Sequence, residues 1–195
     1  MKNNIFYHFF ALVLILFSPS CFGPTQSYPA IQQIIFISSR FGANMEIYTM
    51  DRNGNNQINL TKHQSRDKDP QFSPSGLGML FITNRDGLDE IYYAKLEWYG
   101  GYTRYEITNQ VNVSNHPAYD GQPQFSPDGS KIVFQSARDS TFEIYLVDVD
   151  GNNLVNISNH SANDLDPQFS PDGQNILFIS DRDGDDEIFI MAIDG

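Results

Sequence analysis

The sequence predicts an all-β chain folded as a β-propeller of four-stranded antiparallel blades, and three observations carry that prediction. Pro70-Gln-Phe-Ser-Pro74 returns as Pro123-Gln-Phe-Ser-Pro127 and as Pro167-Gln-Phe-Ser-Pro171. Glu46-Ile-Tyr48 returns as Glu90-Ile-Tyr92, Glu143-Ile-Tyr145 and Glu187-Ile-Phe189. Between these motifs, Ile132-Val-Phe134 and Ile176-Leu-Phe-Ile179 are apolar at successive positions, as in a strand buried on both faces. A fixed repeat of this length describes small units that cannot bury their apolar faces alone, and sheets stacked about an axis solve that problem.

The third repeat sets the pattern. Residues 123–126 make a first strand closed by the turn Pro127-Asp128-Gly129, and 131–136 make the second. Arg138-Asp139-Ser140 turns the chain into a third strand at 142–147, and Asp150-Gly151 turns it into a fourth at 154–158. Each run has strand length, β-branched and aromatic content, and Gly, Asp or Asn at its ends. The first repeat shows strands two to four only, at 34–38, 46–50 and 58–61. The last begins at Pro167 and reaches Gly195, which matches Gly54 and Gly151 in the turn before a fourth strand. Fourteen strands, about three and a half repeats, are therefore expected, with blades at 34–61, 67–114, 120–158 and 164–195. Such an array is an open or incomplete ring.

Lys and Arg total 12 against 24 Asp and Glu, for a net charge of −12. A surface this acidic excludes nucleic acid as the expected partner, since phosphate binding needs basic side chains. Residues 1–20 differ from the rest. Lys2 is their only charge, 9–17 is unbroken apolar sequence, and Ser18-Pro19-Ser20 precedes Cys21. This reads as an export signal too short to span a bilayer comfortably. Cys21 is the only cysteine, so no internal disulfide is expected. Its place directly after the leader resembles a lipoprotein box. Ser18 and Pro19 depart from the usual pattern, so lipidation of Cys21 and plain cleavage both stay open. Residues 21–33, with Pro24 and Pro29, read as a tether.

Asp166-Pro167, Phe169-Ser-Pro-Asp-Gly173, Ser180, Arg182-Asp-Gly184 and Glu187-Ile-Phe189 together resemble the TolB-type propeller repeat, a relative of the WD repeats. The resemblance covers about 34–195. It implies a propeller fold and a periplasmic or membrane-anchored location facing the periplasm or exterior. Members of that family act in envelope complexes, as propeller domains of peptidases and in some lyases. The TolB propeller closes with more blades than the repeats counted here, so either the chain is a truncated product or its open blade faces meet another chain or another copy of this one.

Three histidines, His63, His116 and His160, each precede Asp67, Asp120 or Asp164 at a fixed spacing. They could line one rim for a metal or a sugar. Their recurrence in step with the fold instead points to imidazoles that fix their own loops, in a His, Asp and Ser network completed by Ser38, Thr83, Ser136 and Ser180. Arg40, Arg85, Arg138 and Arg182 each precede Glu46, Glu90, Glu143 or Glu187 across a hairpin turn, so an Arg to Glu contact within each blade is expected. The run 181–187 has the look of a calcium loop without its alternate oxygen ligands, and reads as a polar turn. Asn59, Asn112 and Asn156 open glycosylation-type triplets at one repeat position, which strand geometry explains without sugar.

The second repeat carries nine extra residues around Gly100-Gly101. A two-residue glycine turn would pair Tyr99 with Tyr102, Glu97 with Arg104 and Leu96 with Tyr105, placing Leu96, Trp98 and Tyr105 on one face. The hairpin either projects Trp98, Tyr99, Tyr102 and Tyr105 as a partner contact or folds over a neighbouring blade. Hydrolase elbows, zinc-protease helices and phosphate loops are missing from the sequence, and no cofactor is expected. The function expected is an exported, non-enzymatic scaffold that binds envelope proteins. The alternatives are a carbohydrate-binding or lyase-type propeller using the His rim, or the propeller part of a peptidase.

Overall fold

Fourteen strands and no helix make up the described part of a computed structural model, which covers residues 33–40, 44–99 and 104–195. β1 (Gln33–Ser38), β2 (Glu46–Asp51) and β3 (Ile58–Asn59) form the first sheet. β4 (Asp67–Phe72), β5 (Gly78–Thr83), β6 (Glu90–Tyr99) and β7 (Arg104–Asn112) form the second. β8 (Asp120–Phe125), β9 (Lys131–Ser136), β10 (Glu143–Asp148) and β11 (Val155–Asn156) form the third. β12 (Asp164–Phe169), β13 (Asn175–Ser180) and β14 (Glu187–Ala192) form the fourth. All pairings are antiparallel between chain neighbours, so each sheet is a meander. The leader expected over 1–20, Cys21, Tyr102 and the lead-in up to 32 lie outside the described residues. Gln33 opens β1.

First strands begin three residues earlier than the sequence suggested, at Asp67, Asp120 and Asp164 rather than at the prolines. The cause is a bulge. Asp69, Gln122 and Asp166 take left-handed φ values of 51°, 51° and 50°, and the ladder shifts register there in each sheet. The bulge carries each following proline, which has no N–H to give, on an edge strand where none is required.

Three apolar clusters lie between consecutive sheets. Ile35, Ile47 and Leu60 meet Phe72, Met79 and Phe81; Leu80, Ile82 and Ile91 meet Ile132, Phe134 and Val147; Val133, Ile144 and Ile157 meet Ile176 and Phe178. Every residue of β5 is buried, as expected of a strand covered on both sides. Each of these side chains contributes about 1.5–3 kcal/mol by leaving water. A polar rung joins the sheets near their inner edge: Gln71 Oε1 accepts from Phe125 N at 3.2 Å, and Gln124 Oε1 accepts from Phe169 N at 2.6 Å. The fourth sheet buries one face only. On its other face Ile188 is 77% and Ile190 65% exposed, so the described sheets form an open or incomplete propeller.

Candidate functional site

Three of the four repeats build the same polar corner where the second strand turns into the third. The second strand ends in Thr83, Ser136 or Ser180, whose hydroxyl accepts from Nε of the arginine two residues on, at 3.2, 2.8 and 3.0 Å. That arginine turns back over two rings. Arg85 lies over Phe81 and Tyr92, Arg138 over Phe134 and Tyr145, and Arg182 over Phe178 and Phe189, at 4.5–5.6 Å from the ring centres. Its Nη2 donates to the aspartate that opens the first strand, Asp67, Asp120 or Asp164, at 3.3, 3.2 and 3.0 Å. These aspartates are fully buried.

The corner corrects the expected Arg to Glu contact. Hairpin geometry brings the recurring glutamate near, but stacking on two rings turns each guanidinium toward the first strand instead. The glutamate faces outward along the sheet and meets the fourth strand. Asn59 Nδ2 donates to Glu46 at 2.5 Å, Asn112 Nδ2 donates to Glu90, and Ser158 Oγ donates to Glu143 at 2.6 Å. Backbone bonds complete this joint. Ile47, Ile91 and Ile144 donate N–H to Thr61, Ser114 and Ser158 hydroxyls at 3.2, 3.0 and 2.9 Å. Their carbonyls accept from Leu60, Val113 and Ile157 N–H at 2.8, 2.9 and 2.9 Å.

The imidazole rings stand apart from this network, although the His160 backbone N–H donates to Glu143 at 3.0 Å. His63, His116 and His160 each accept at Nδ1 from the backbone N–H two residues on, at 3.1, 3.2 and 3.1 Å. Each fixes its own loop, while arginine holds the place beside Asp and Ser that a histidine was expected to take. Among the described residues no three His, Cys, Asp or Glu side chains converge as a metal site would require. The run 181–187 is a turn in which Asp181 accepts from Asn163 N and Nδ2 at 2.8 and 3.2 Å. Asn59, Asn112 and Asn156 each accept at Oδ1 from the N–H three residues on, at 3.1, 2.9 and 2.9 Å, which ends the fourth strand.

Sequence reasoning missed two sets of residues. The glutamine of each Pro-Gln-Phe motif is the inter-sheet acceptor, and its recurrence was the only signal for it. Tyr92 and Tyr145 donate to Asp86 and Asp139, and burial together with those carboxylates pushes both phenols well above their ordinary range.

The hairpin differs from expectation in register. Tyr99 pairs with Arg104, Trp98 with Tyr105, Glu97 with Glu106 and Leu96 with Ile107, with a bulge next to Lys95. The connection therefore takes four residues rather than two glycines. A slip of two positions keeps Leu96 and Tyr105 on one face, as expected. It also sets Leu96 beside Ile107, and both pack on the cluster between the first two sheets. Tyr105 is only 2% exposed and lies against Phe72, with its phenol pushed up to about 12 by burial. It is a core residue and presents no contact surface. Trp98 and Tyr99 lie at the end of β6.

A family model, the TolB beta propeller domain, matches residues 102–195. The repeats within 102–195 are thus similar to the TolB propeller type. A putative TolB from Agrobacterium tumefaciens superposes with a TM-score of 0.63 at 22% identity, over 84% of this chain and 58% of that one. TolB from Acinetobacter baumannii gives 0.60 at 22% identity, over 83% and 38%. An oligogalacturonate lyase from Vibrio parahaemolyticus gives 0.59 at 16% identity, over 84% and 46%, so the TolB-type blade arrangement is shared with an enzyme. An uncharacterized protein of Agrobacterium fabrum is 30% identical over 118 residues, 56% of this chain and 37% of that protein. The chain thus spans little more than a third of the length of this curated relative.

Proposed function

We propose that this TolB-type propeller chain is an exported, non-enzymatic scaffold that binds other proteins in the cell envelope. The observation that supports it most is the use the fold makes of its recurring polar residues. His63, His116 and His160 fix their loops, Arg85, Arg138 and Arg182 hold buried aspartates, and Glu46, Glu90 and Glu143 tie down fourth strands. The side chains best suited to chemistry serve architecture, which leaves turns, hairpin and open faces for contact. Trp98, Tyr99 and Tyr102 are the contact residues this reading favours. Leu177, Ile188 and Ile190 give it a second contact surface, through which copies self-associate. The export signal at 1–20 and the cysteine at 21 supply the location.

The decisive experiment replaces His63, His116 and His160 together by alanine. The expected result is lowered stability with no change in metal content. Stoichiometric metal in the purified chain that the triple variant loses at unchanged stability would overturn the reading in favour of a rim that binds metal or sugar. A photo-crosslinker at Trp98 is expected to capture envelope proteins in intact cells.

A further inference from the structure

The nine extra residues of the second repeat do more than lengthen a hairpin. They wall a groove along the outer edge of the first sheet. The groove holds about 360 Å³ and runs between residues 58–62 on one side and Tyr105, Glu106, Ile107 and Gln110 on the other. Leu96, Tyr105 and Ile107 anchor the hairpin in the cluster between the first two sheets, so this wall is fixed in place. The first and third repeats join the same two strands without the insertion.

Residues 58–62 line the groove without a gap. Side chains of a strand alternate between its two faces, so a surface that meets five residues in a row meets the strand edge-on, at its main chain. The pairing agrees. Leu60 N donates to Ile47 O at 2.8 Å, and Tyr48 stands opposite Asn59. The N–H and C=O of Asn59 therefore point away from β2, to the open edge of β3. Lys62 ends this side of the lining: its N–H donates to Asn59 Oδ1 at 3.1 Å, and its side chain is exposed. On the other side Arg85 Nη1 donates to Gln110 Oε1 at 2.6 Å, which sets a second positive charge behind Gln110.

We infer that this groove is a docking site for an extended acidic segment of another protein, paired through its main chain with the β3 edge and through a carboxylate with Lys62. The charge distribution selects that occupant. The lining carries Lys62 and Glu106, one charge of each sign, so the surroundings decide. Residues 34–66 hold four basic side chains and two acidic ones, whereas residues 67–195 hold seven and 22. An acidic segment is repelled by the rest of the chain and meets a favourable field at the first sheet, which steers it to this edge. This inference rests on the scaffold reading and gives it a partner chemistry.

The test uses the full 195-residue chain and a pair of short fluorescein-labelled peptides, one alternating valine with glutamate and the other valine with lysine. Fluorescence anisotropy is expected to show saturable binding of the acidic peptide and about tenfold weaker binding, or none, of the basic one. The acidic peptide is then methylated on the main-chain nitrogens of one edge or of the other. One pattern is expected to abolish binding and the other to leave it, which separates strand addition from plain charge attraction. Lys62→Glu is expected to weaken binding about fivefold at an unchanged urea midpoint. Amide exchange at Asn59 is expected to slow when the acidic peptide binds. Equal binding of the two peptides, binding indifferent to methylation of either edge, or binding unaffected by Lys62→Glu would each overturn the inference. Self-association that the acidic peptide competes away would overturn it too, by giving the groove to a second copy. If the peptides fail while Trp98 crosslinks persist, the groove inference falls and the scaffold reading stands.

Discussion

Removing Arg138 tests the architectural reading most directly. Its guanidinium is 9% exposed and Asp120 is fully buried. It donates to Ser136 Oγ at 2.8 Å, Ser114 O at 3.0 Å and Asp120 Oδ1 at 3.2 Å. Asp120 Oδ2 lacks a hydrogen-bond partner, so among the described residues Arg138 is the charge that compensates its carboxylate. Breaking a buried pair by deleting one member costs about 3–5 kcal/mol, because the other charge stays behind. Loss of the two ring faces at 4.5 and 5.6 Å adds about 1 kcal/mol. Arg138→Ala is therefore expected to lose about 3–5 kcal/mol. Arg40 is the internal control. It covers Phe36 and Tyr48 in the same way but is exposed, and no described aspartate pairs with it, so Arg40→Ala should cost about 1 kcal/mol or less. Urea unfolding followed by far-ultraviolet circular dichroism measures both, provided the denaturant slope is unchanged. Equal losses at the two sites, or a loss below about 1 kcal/mol at Arg138, would refute the argument. Replacing both Asp120 and Arg138 by apolar residues should restore most of the stability.

Gln124→Ala strands the Phe169 N–H between sheets and is expected to cost about 1–3 kcal/mol in the same unfolding assay, whereas Gln168→Ala, at an exposed position of the fourth sheet, should cost close to nothing. Acid is expected to weaken the fold. The Ser126 hydroxyl and the N–H and hydroxyl of Ser130 hold Asp128 below its ordinary value, while at Asp89 bonds from Lys68 and Arg66 outweigh the upward push of burial. A lowered folded value means stability that is present above about pH 4 and fades as pH falls through the depressed values. Asp89→Asn and Asp128→Asn should each flatten the fall of the urea midpoint between about pH 5 and pH 2.

The all-β class was legible because the repeats write their turns in glycine, asparagine and aspartate, and because doubly buried strands such as β5 and β9 lose the polar alternation of a surface strand. The bulge at Asp69, Gln122 and Asp166 was not legible. Gln122 is neither Gly nor Asn, and it takes a φ of 51° because the following proline and the edge position remove the need for regular pairing. Arginine partners were misread for a related reason: sequence spacing placed Arg and Glu together, but two aromatic rings per blade decide which way the guanidinium turns. The hairpin register was set by Leu96, Tyr105 and Ile107 seeking the core, a tertiary preference that outweighed the local appeal of Gly100-Gly101.

The glutamine rungs have a direction. Gln71 reaches forward to the next sheet's phenylalanine and Gln124 does the same, while neither reaches back. Each module carries its own socket and its own plug, so whole modules can be duplicated or lost in evolution without leaving a mismatched joint anywhere but at the last one. Length in such a lineage is free to drift while the joint chemistry stays constant.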